Sequence, residues 1–503
     1  MPLTQRFAAV PRWLWLALLA VALMSPAIFG PLRLNDSHWI NYSWSEQFTA
    51  AIAHGDLWPR WLPQSHGGLG APDFYFYGPV AFWLAAPFGL VGLAPWPALL
   101  GAATLGLWFS GLAMGRFLNG RTRHPALGAA LYMALPYHLL DFGMRGALAE
   151  FVAYATLPLV ALGIARRRIW LIAAGYALLI LTHLPTALLA SLFLIPVLAL
   201  TEAWKDRPAL LRIGAGLVLG LMLAAPYLLP AILLQRYVAI ATMTAVPALQ
   251  AARWTILSPD THMRDGLFLV GLIAAALALP ALALLRRDRW GWFVLAMLAL
   301  GLGLIPALWA IPLLAAVQFP WRLFVLADFG VAWIVARASW PMQRLLLLVV
   351  PALALTSIIL WLQTSNQSVQ PVGRVLAHHP DVIEYLPAGV SEPYAAFSRR
   401  ALDLAAHTPP TRSTNGWTTV RLHYFPIWQV RCANGLVPSG AEPGTGLLRY
   451  RGEGCAVERR RLPIENFGLA LSLVAMALLA VGPAVAARRR RQALTAPATT
   501  TLH

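Results

Sequence analysis

The segment after the first apolar run combines ionisable groups with many aromatic and proline residues. It begins at Leu34-Asn35-Asp36-Ser37-His38-Trp39, continues through Gly55-Asp56-Leu57-Trp58-Pro59-Arg60-Trp61-Leu62-Pro63 and ends at Asp73-Phe74-Tyr75-Phe76-Tyr77-Gly78-Pro79. Asp36 stands just past the predicted membrane exit, where its carboxylate could accept a proton from a hydroxyl group. Asn35, Asp36 and Ser37 are equally suited to cap a helix predicted over residues 39–54. Both roles of Asp36 stay open.

A second group of ionisable residues lies between two apolar runs. It reads Pro136-Tyr137-His138-Leu139-Leu140-Asp141-Phe142-Gly143-Met144-Arg145-Gly146-Ala147-Leu148-Ala149-Glu150. Asp141, Arg145 and Glu150 are costly so close to hydrocarbon unless they are paired or solvated. The Arg145 guanidinium can bind a phosphate, or it can form an internal ion pair that fixes the loop. The sequence leaves both roles open.

Two further candidates stand alone in apolar surroundings. Arg322, in Gln318-Phe319-Pro320-Trp321-Arg322, enters an apolar run beside aromatic residues. This position suits binding of a lipid phosphate, or an arginine that snorkels and anchors the helix. His183, in Leu181-Thr182-His183-Leu184-Pro185-Thr186, could contact a phosphate or a sugar, and a satisfied structural histidine is the alternative.

Composition and run length identify a membrane protein. Hydrophobic residues make up 59% of the chain and charged residues 12%, against about 25% charged residues in an average soluble domain. Runs able to cross a hydrocarbon layer of about 30 Å recur, and they predict about twelve transmembrane helices. The predicted spans are near residues 13–31, 96–117, 125–140, 151–165, 169–183, 186–203, 209–232, 266–285, 290–308, 321–338, 344–362 and 464–486.

The arginine clusters between the runs set the predicted orientation. With twelve spans every cluster falls on the side of the N-terminus, as expected for cytoplasmic loops. The sequence therefore predicts a multi-pass membrane protein with both termini in the cytoplasm. Residues 79–93 are apolar too, but counting them as a span would place the following clusters outside. Residues 79–92 are therefore predicted as an interfacial or re-entrant helix.

Residues 364–463 form the one large segment predicted outside both membrane and cytoplasm. Alternating patterns at 417–424, 427–432, 446–450 and 455–460 predict a small β-rich domain. Cys432 and Cys455 are the only cysteines, and they suit a disulfide in an oxidising compartment, with two free thiols as the alternative. The predicted domains are a transmembrane domain (1–363) with its first outer loop (31–95), the β-rich domain (364–463), a last span (464–486) and a basic, disordered cytoplasmic tail (487–503).

Several functional classes are excluded or made improbable by the pattern. The net charge of +18 lies in short clusters between apolar runs, which indicates membrane topology rather than nucleic-acid binding. The chain has no Gly-rich phosphate loop of P-loop type, no His-Glu-x-x-His motif and no Cys-x-x-Cys motif, which argues against ATP-driven transport by this chain alone. No predicted cytoplasmic loop is long enough to hold a nucleotide-sugar domain. A lipid-linked donor is the expected substrate supply.

Short motifs spread over nearly the whole chain resemble one family of membrane proteins. They are Arg60-Trp61-Leu62-Pro63, Phe76-Tyr77-Gly78-Pro79, Arg145-Gly146-Ala147-Leu148-Ala149-Glu150, Phe319-Pro320-Trp321-Arg322 and Tyr424-Phe425-Pro426-Ile427-Trp428-Gln429. In this order they resemble the bacterial membrane proteins labelled 6-pyruvoyl-tetrahydropterin-synthase-related, which are akin to YfhO-type proteins. The architecture resembles that of GT-C-type glycosyltransferases, with many spans, a long first outer loop and an outer C-terminal domain.

This resemblance implies transfer of a sugar from a polyprenyl-phosphate-linked donor to an envelope glycan, lipid or protein acceptor. By position, Asp36 would be the catalytic base, and Arg145 and Arg322 would bind phosphate. His38, Glu46, Asp73, Asp141, Glu150 and His183 are the further candidate substrate-binding residues. Many GT-C enzymes carry a second acid beside the first, and this chain does not. Glu46 or Asp73 would have to supply it, and a divalent metal is left open as a cofactor.

Two other classes of function remain. A transporter or flippase for a lipid-linked glycan predicts ionisable residues deep within the spans and half-matched repeats, and the sequence shows neither. A scaffold in an envelope assembly complex would use its β-rich domain to bind a partner. The scaffold hypothesis predicts that Asp36, Arg145 and Arg322 each tolerate substitution.

Overall fold

Helices dominate the computed structural model, and two small β-sheets follow them towards the C-terminus. The structure describes residues 11–30, 32, 34, 37–242, 250–256, 289–338, 371–390 and 403–495, with side chains up to residue 481. In the first half of the chain the α-helices are α1 Arg12–Phe29, α2 His38–Ala53, α3 Ser65–Gly68, α4 Asp73–Phe76, α5 Val80–Leu90, α6 Pro95–Leu118, α7 Pro125–Ala134, α8 Pro136–Gly143, α9 Leu148–Ala165, α10 Ile169–Thr182, α11 Leu184–Leu189, α12 Ile195–Ala203, α13 Arg207–Leu223 and α14 Ala225–Leu233.

The second half continues with shorter helices and the strands. They are α15 Arg289–Gly301, α16 Pro306–Trp309, α17 Pro312–Ala315, α18 Phe324–Arg337, α19 Val372–His378, β1 Thr411–Thr414, β2 Trp417–His423, β3 Trp428–Cys432, β4 Gly435–Val437, β5 Ser439–Ala441, β6 Leu447–Tyr450, β7 Ala456–Arg459 and α20 Pro463–Thr495. A π-helical turn, Ala190–Leu194, joins α11 to α12, and 3₁₀ turns occur at Gln235–Tyr237, Ala251–Arg253, Pro320–Leu323 and Ile383–Tyr385.

Six stretches of the described chain are long and apolar enough to cross a membrane. They are Arg12–Phe29, Pro95–Leu118, Leu148–Ala165, Leu184–Ala203, Arg207–Tyr237 and Pro463–Val481. Val80–Leu90, Ile169–Thr182 and Arg289–Gly301 are apolar but shorter, and Val80–Leu90 falls where an interfacial or re-entrant helix was predicted. The predicted spans 266–285 and 344–362 lie outside the described residues. The membrane character is thus supported, while the number of twelve spans stays a prediction.

The predicted span over residues 125–140 is not one continuous helix, because the chain breaks between α7 and α8. Leu135 has an extended conformation (φ −60°, ψ 139°), and Pro136 opens α8. A proline disfavours the helical conformation of the preceding residue and has no N–H to continue the ladder. Pro136, the cause of the break, is visible in the sequence, but a prediction from hydrophobicity alone does not take it into account.

Asp328 of α18 lies at this helix break. Its carboxylate accepts a hydrogen bond from the Tyr154 hydroxyl at 2.8 Å, and the backbone N–H of His138 in the first turn of α8 faces it. Backbone N–H groups at a helix start have no partner within the helix. Asp328 is 2% exposed. Its buried carboxylate and the free N–H at the start of α8 therefore satisfy each other's need for a hydrogen-bond partner.

The C-terminal β region consists of a four-stranded sheet, in the order β1-β2-β6-β5, and a three-stranded sheet, in the order β4-β3-β7. The strands of both sheets pair antiparallel. Val430, Leu448 and Tyr450 form the buried core between the sheets, and Cys432 and Cys455 are joined in a disulfide. All four predicted strand segments are present in this β-rich region.

The first loop of the chain packs against this β region. The N–H of His423 in β2 donates to the Leu69 carbonyl at 2.7 Å, and Trp61 contacts Trp428 edge to face with ring centroids 5.3 Å apart. The Arg60 guanidinium lies 3.4 Å from the Glu465 carboxylate at the start of α20. The loop, the β region and the last helix are therefore held together by direct contacts.

Candidate functional site

The start of α2 is attached to the turn that carries Arg145. Ser37 occupies the N-cap position of α2, and its backbone N–H donates to the Arg145 carbonyl at 3.0 Å. The Asn41 side chain donates to the Gly146 carbonyl. Gly146 has a φ of 64°, and a Cβ there would lie 2.5 Å from the His38 backbone nitrogen. Only glycine fits both the left-handed conformation and the close approach.

His38 is part of this contact and lies inside an aromatic group. The residue is 2% exposed. Its ring contacts those of Trp96 and Phe142 edge to face, with its centroid 5.4 Å from that of Trp96 and 5.3 Å from that of Phe142. The predicted substrate-binding role of His38 has no support in this arrangement. The contacts instead fix the first turn of α2 against the Arg145 turn.

Four charged residues predicted separately from the sequence meet beside this contact, and we call them the ion-pair cluster: Asp141, Arg145, Glu150 and Arg322. Arg145 bonds to Asp141 and lies 3.3 Å from Glu150. Arg322 Nε donates to Glu150 Oε2 at 3.1 Å, across 172 positions of sequence. Both carboxylate side chains have no exposed surface, and the arginine side chains are 11% and 10% exposed.

Aromatic side chains cover the ion-pair cluster. The Arg145 guanidinium lies 5.5 Å from the Phe319 ring centroid and 5.7 Å from that of Trp321. The Arg322 guanidinium lies 5.1 Å from the Phe319 centroid. Cation–π contacts of this kind are strengthened where water is excluded. The aromatic cover therefore reinforces the ion pairs and limits their access to water.

His183 and Tyr77 border the cluster. His183 Nδ1 lies 2.7 Å from the Thr186 hydroxyl, and its ring is close enough to interact electrostatically with Glu150. Burial raises the pKa of Tyr77 to about 12, and Arg322 and Glu150 act on its hydroxyl with opposite signs. Tyr77 thus brings a hydroxyl from the first loop to the edge of the cluster.

Arg145 forms the internal ion pair that was one of its two predicted roles, and Arg322 has a carboxylate partner as well. Two guanidinium groups and two carboxyl groups balance in formal charge. Removing one partner of a buried pair is costly, so a phosphate could bind here only by sharing the guanidinium groups with Asp141 and Glu150. The cluster can bind an anion from its exposed edge, or it can simply hold the loops together.

A second buried polar group lies where the first loop meets residues 371–390, and we call it the carboxyl cluster: Trp44, Ser65, Asp73 and Asp381. The Trp44 indole N–H lies 3.0 Å from both Asp381 oxygens. Ser65 donates to Asp73 Oδ2 at 3.3 Å, and the two carboxyl groups bond to each other. Two carboxyl groups can share a hydrogen bond only when one is protonated.

The carboxyl cluster has no cation among these four residues, and burial dominates its acidity. Burial raises the pKa of Asp73 well above its usual value, and the neighbouring Asp381 raises it further. Burial raises the pKa of Asp381 to about 6. Of the two carboxyl groups, Asp73 is therefore the one that we expect to carry the proton and to donate to Asp381. Asp73 is fully buried, which does not suit a base that must meet a substrate.

Glu46 and Asp73 were the two candidates for a second carboxylate beside Asp36, and Asp73 pairs with Asp381 instead. Glu46 remains 43% exposed and lies 4.0 Å from His379, away from the Asp73 carboxyl partners. His379 bonds to the Ser43 hydroxyl at 3.0 Å. Neither Glu46 nor Asp73 is described next to a second acid of the first loop. Asp36 itself lies outside the described residues, and so does any contact that it makes.

The described residues do not form a recognisable metal site. Among those residues no group of three or more His, Cys, Asp or Glu side chains is placed to hold a metal ion. The nearest approach to such a site is His66 beside His423, with ring centroids 5.5 Å apart. His423 Nδ1 lies 2.9 Å from the Gly70 carbonyl.

Sequence reasoning missed Asp328, Asp381 and Glu384. Asp328 is an acid within an apolar run, and that alone marks a functional or structural site. Asp381 follows His378-His379-Pro380 and precedes an apolar stretch, which marks the re-entry of the chain into a core. Burial raises the pKa of Glu384, on the 3₁₀ turn Ile383–Tyr385. No sequence signal identifies Glu384.

No protein-family model, curated protein or solved structure matches this chain.

Proposed function

We propose that this chain is a membrane glycosyltransferase that uses a sugar donor linked to a polyprenyl phosphate. The acceptor would be an envelope glycan, lipid or protein on the outer face of the bacterial inner membrane. The observation that carries the proposal is the meeting of three separately predicted segments. The start of the first loop, the Arg145 turn and Arg322 lie together beside helices apolar enough to span a membrane.

The ion-pair cluster supports the binding of a leaving phosphate. Guanidinium groups bind phosphate through paired N–H donors, and an arginine near the end of a span suits a lipid headgroup. Arg145 and Arg322 would share these donors between their carboxylate partners and the phosphate. Tyr77 stands at the same edge and could donate its hydroxyl proton to a phosphate or sugar oxygen.

The reaction requires one carboxylate in addition to the cation pair. The acceptor oxygen forms a bond to the anomeric carbon, and the bond from that carbon to the phosphate oxygen breaks. The electron pair leaves with the lipid phosphate, and the acceptor hydroxyl loses its proton to a base. We assign the base to Asp36 from its place in the sequence. Its neighbour Ser37 is bonded to the Arg145 turn.

The test is transfer of a labelled sugar from a polyprenyl-phosphate donor by the purified protein in proteoliposomes. We expect Asp36→Asn to lower transfer by about 10²-fold or more, since general-base catalysis contributes about that much. Asp56→Asn is the matched control, because Asp56 lies in the same loop, is 39% exposed and pairs with Arg459. Equal transfer by Asp36→Asn and wild type would remove the proposal.

One observation favours a second candidate, a scaffold of an envelope complex. The charges of the ion-pair cluster balance each other, so the cluster can serve to join the loops without any ligand. The scaffold hypothesis predicts that no wild-type transfer is seen with any lipid-linked donor. It also predicts that Arg322→Lys, which keeps the charge and loses the planar fork, retains complex assembly in the cell. For a transferase, the same variant would lose transfer while its melting temperature stays near that of wild type.

A further inference from the structure

The four-stranded sheet has a core face and an outward face. Leu448 and Tyr450 of β6 point into the core, so Arg449 lies on the opposite face. In register with it are Thr419 of β2 and Gly440 of β5, and Thr419 is in register with Arg412 of β1. The outward face therefore carries polar and charged side chains: Arg449, the Arg412–Glu442 pair, and Thr419, which is buried and donates to Glu442.

Two arginines on this face are held against one indole ring. The Arg449 guanidinium lies 4.5 Å from the Trp417 ring centroid, and the Arg451 guanidinium lies 4.6 Å from it. Stacking on an aromatic ring restricts a long side chain before any ligand binds.

The surroundings of these two arginines differ from those of other arginines in the β region. Arg412 bonds to both Glu442 oxygens at 2.6 Å, Arg431 lies 3.3 Å from Glu458, and Arg459 lies 3.3 Å from Asp56. No ion pair with an acidic residue is present for Arg449 or Arg451 within the described part of the chain. Arg451 is exposed and Arg449 is partly exposed.

The β region exposes little apolar surface, and this limits which class of molecule can bind to it. Within the described residues 403–462, the only strongly exposed large hydrophobic side chain is Leu436, at 58%. It lies on β4 of the other sheet. Insertion into a bilayer needs apolar or aromatic side chains, and the buried core of a protein–protein interface is more apolar than the rest of the surface. A hydroxyl-rich anionic polymer needs neither.

We propose that the outward face of the β1-β2-β6-β5 sheet binds an anionic polysaccharide through Arg449 and Arg451, with Trp417 holding the two guanidinium groups in place. Carboxylate or phosphate groups on the polymer accept the guanidinium N–H donors. The sugar hydroxyls bond to the polar side chains around them, such as the exposed Thr414. Binding does not depend on the transferase activity, so it can be tested alone.

The test uses the full-length protein in nanodiscs of zwitterionic lipid and fluorescent polygalacturonate as the probe. We expect wild type to bind polygalacturonate and not neutral dextran, with affinity that falls as salt screens the charges. The double variant R449Q/R451Q should bind about tenfold more weakly or worse, since each charge-assisted bond is worth more than a neutral one. Arg431→Gln is the matched control, because Arg431 is an exposed arginine of the other sheet with a carboxylate partner.

Three outcomes would overturn the proposal. They are no binding by wild type, unchanged binding by the double variant, and equal binding of polyglutamate, which carries carboxylates without a sugar. If the double variant melts below wild type, R449K/R451K is measured instead. It keeps both charges and loses the guanidinium forks, and unchanged affinity in that correctly folded variant would also count against the proposal.

Discussion

The ion-pair cluster and the carboxyl cluster are both buried, and they reach electrical neutrality in different ways. Around Glu150, two guanidinium groups compensate two carboxyl groups. Around Asp73, two carboxyl groups bond to each other, and the groups that bond to them are the neutral Trp44 and Ser65. The first cluster balances in formal charge because each carboxyl group is paired with a guanidinium group, whereas the second lacks a cation and approaches neutrality by keeping a proton.

The stability of the two clusters therefore depends on different variables. A paired cluster depends on the presence of every partner, because a lone buried charge is expensive. A protonated cluster depends on pH, because its neutral form is lost when the proton leaves. Replacing a carboxylate by its amide isostere is therefore a destructive change in one cluster and a mild one in the other.

The largest effect is expected for Glu150→Gln. Glu150 contacts both Arg145 and Arg322, so the amide leaves two buried guanidinium groups with one remaining carboxylate, Asp141. We expect a loss of about 3–5 kcal/mol in the free energy of unfolding, as for other broken buried pairs. Thermal or denaturant unfolding of the detergent-solubilised protein measures it.

The control for this substitution is Asp56→Asn at an exposed ion pair. Asp56 and Arg459 are both 39% exposed, with their charged atoms 3.3 Å apart. Pairs of this kind contribute about 0–1 kcal/mol. If Glu150→Gln costs no more than this control, the cluster near Glu150 is solvated and its pairing is not what holds the loops.

A smaller effect is expected from the titration of Asp381. Its folded pKa of about 6 lies above the usual value of 3.8, so the folded state binds more protons than the unfolded state between these values. Its contribution is therefore fully present below pH 4 and is lost as the pH rises through about 6. A shift of two units corresponds to about 3 kcal/mol. We expect Asp381→Asn to remove this slope.

The measurement is the pH dependence of the difference between variant and wild type. His66 and His423 lie nearby, and burial lowers the pKa of both, that of His423 to about 4. Their contribution rises with pH and opposes that of Asp381. The difference cancels the histidines, because both proteins contain them. Hydrogen exchange at residues 381–386 gives a local readout, and a flat difference from pH 4 to pH 7 would refute the assignment.

The sequence predicted the members of the ion-pair cluster and not their pairing. Asp141, Arg145, Glu150 and Arg322 were each identifiable because a charge beside hydrocarbon is costly and must have a reason. That Arg322 bonds to Glu150 depends on tertiary packing, and no local pattern encodes a contact across 172 positions.

The carboxyl cluster shows the opposite case. The sequence marks Asp73 as a candidate second acid for Asp36, but its partner Asp381 lies in the segment predicted to belong to a separate β-rich domain. The structure instead packs residues 371–390 against the first loop, with Trp44 bonded to Asp381. The six described stretches that are long and apolar enough to cross a membrane each overlap a predicted span. Run length is local information and can be predicted from the sequence, whereas packing is not local.

The smallest effect is expected for Asp73→Asn. Because Asp73 keeps its proton and donates to Asp381, an asparagine side chain can place an N–H donor where the carboxyl O–H was. The Ser65 hydroxyl can still donate to the remaining oxygen. We expect a change within about 1 kcal/mol at pH 7, smaller than that of Glu150→Gln by a factor of three or more. Asp73→Leu is the contrasting variant, because it removes the donor to Asp381 and leaves the Ser65 hydroxyl without its acceptor. A large loss for both Asp73 variants alike would mean that Asp73 is ionised, and the two clusters would then not differ in the way that their neutrality is achieved.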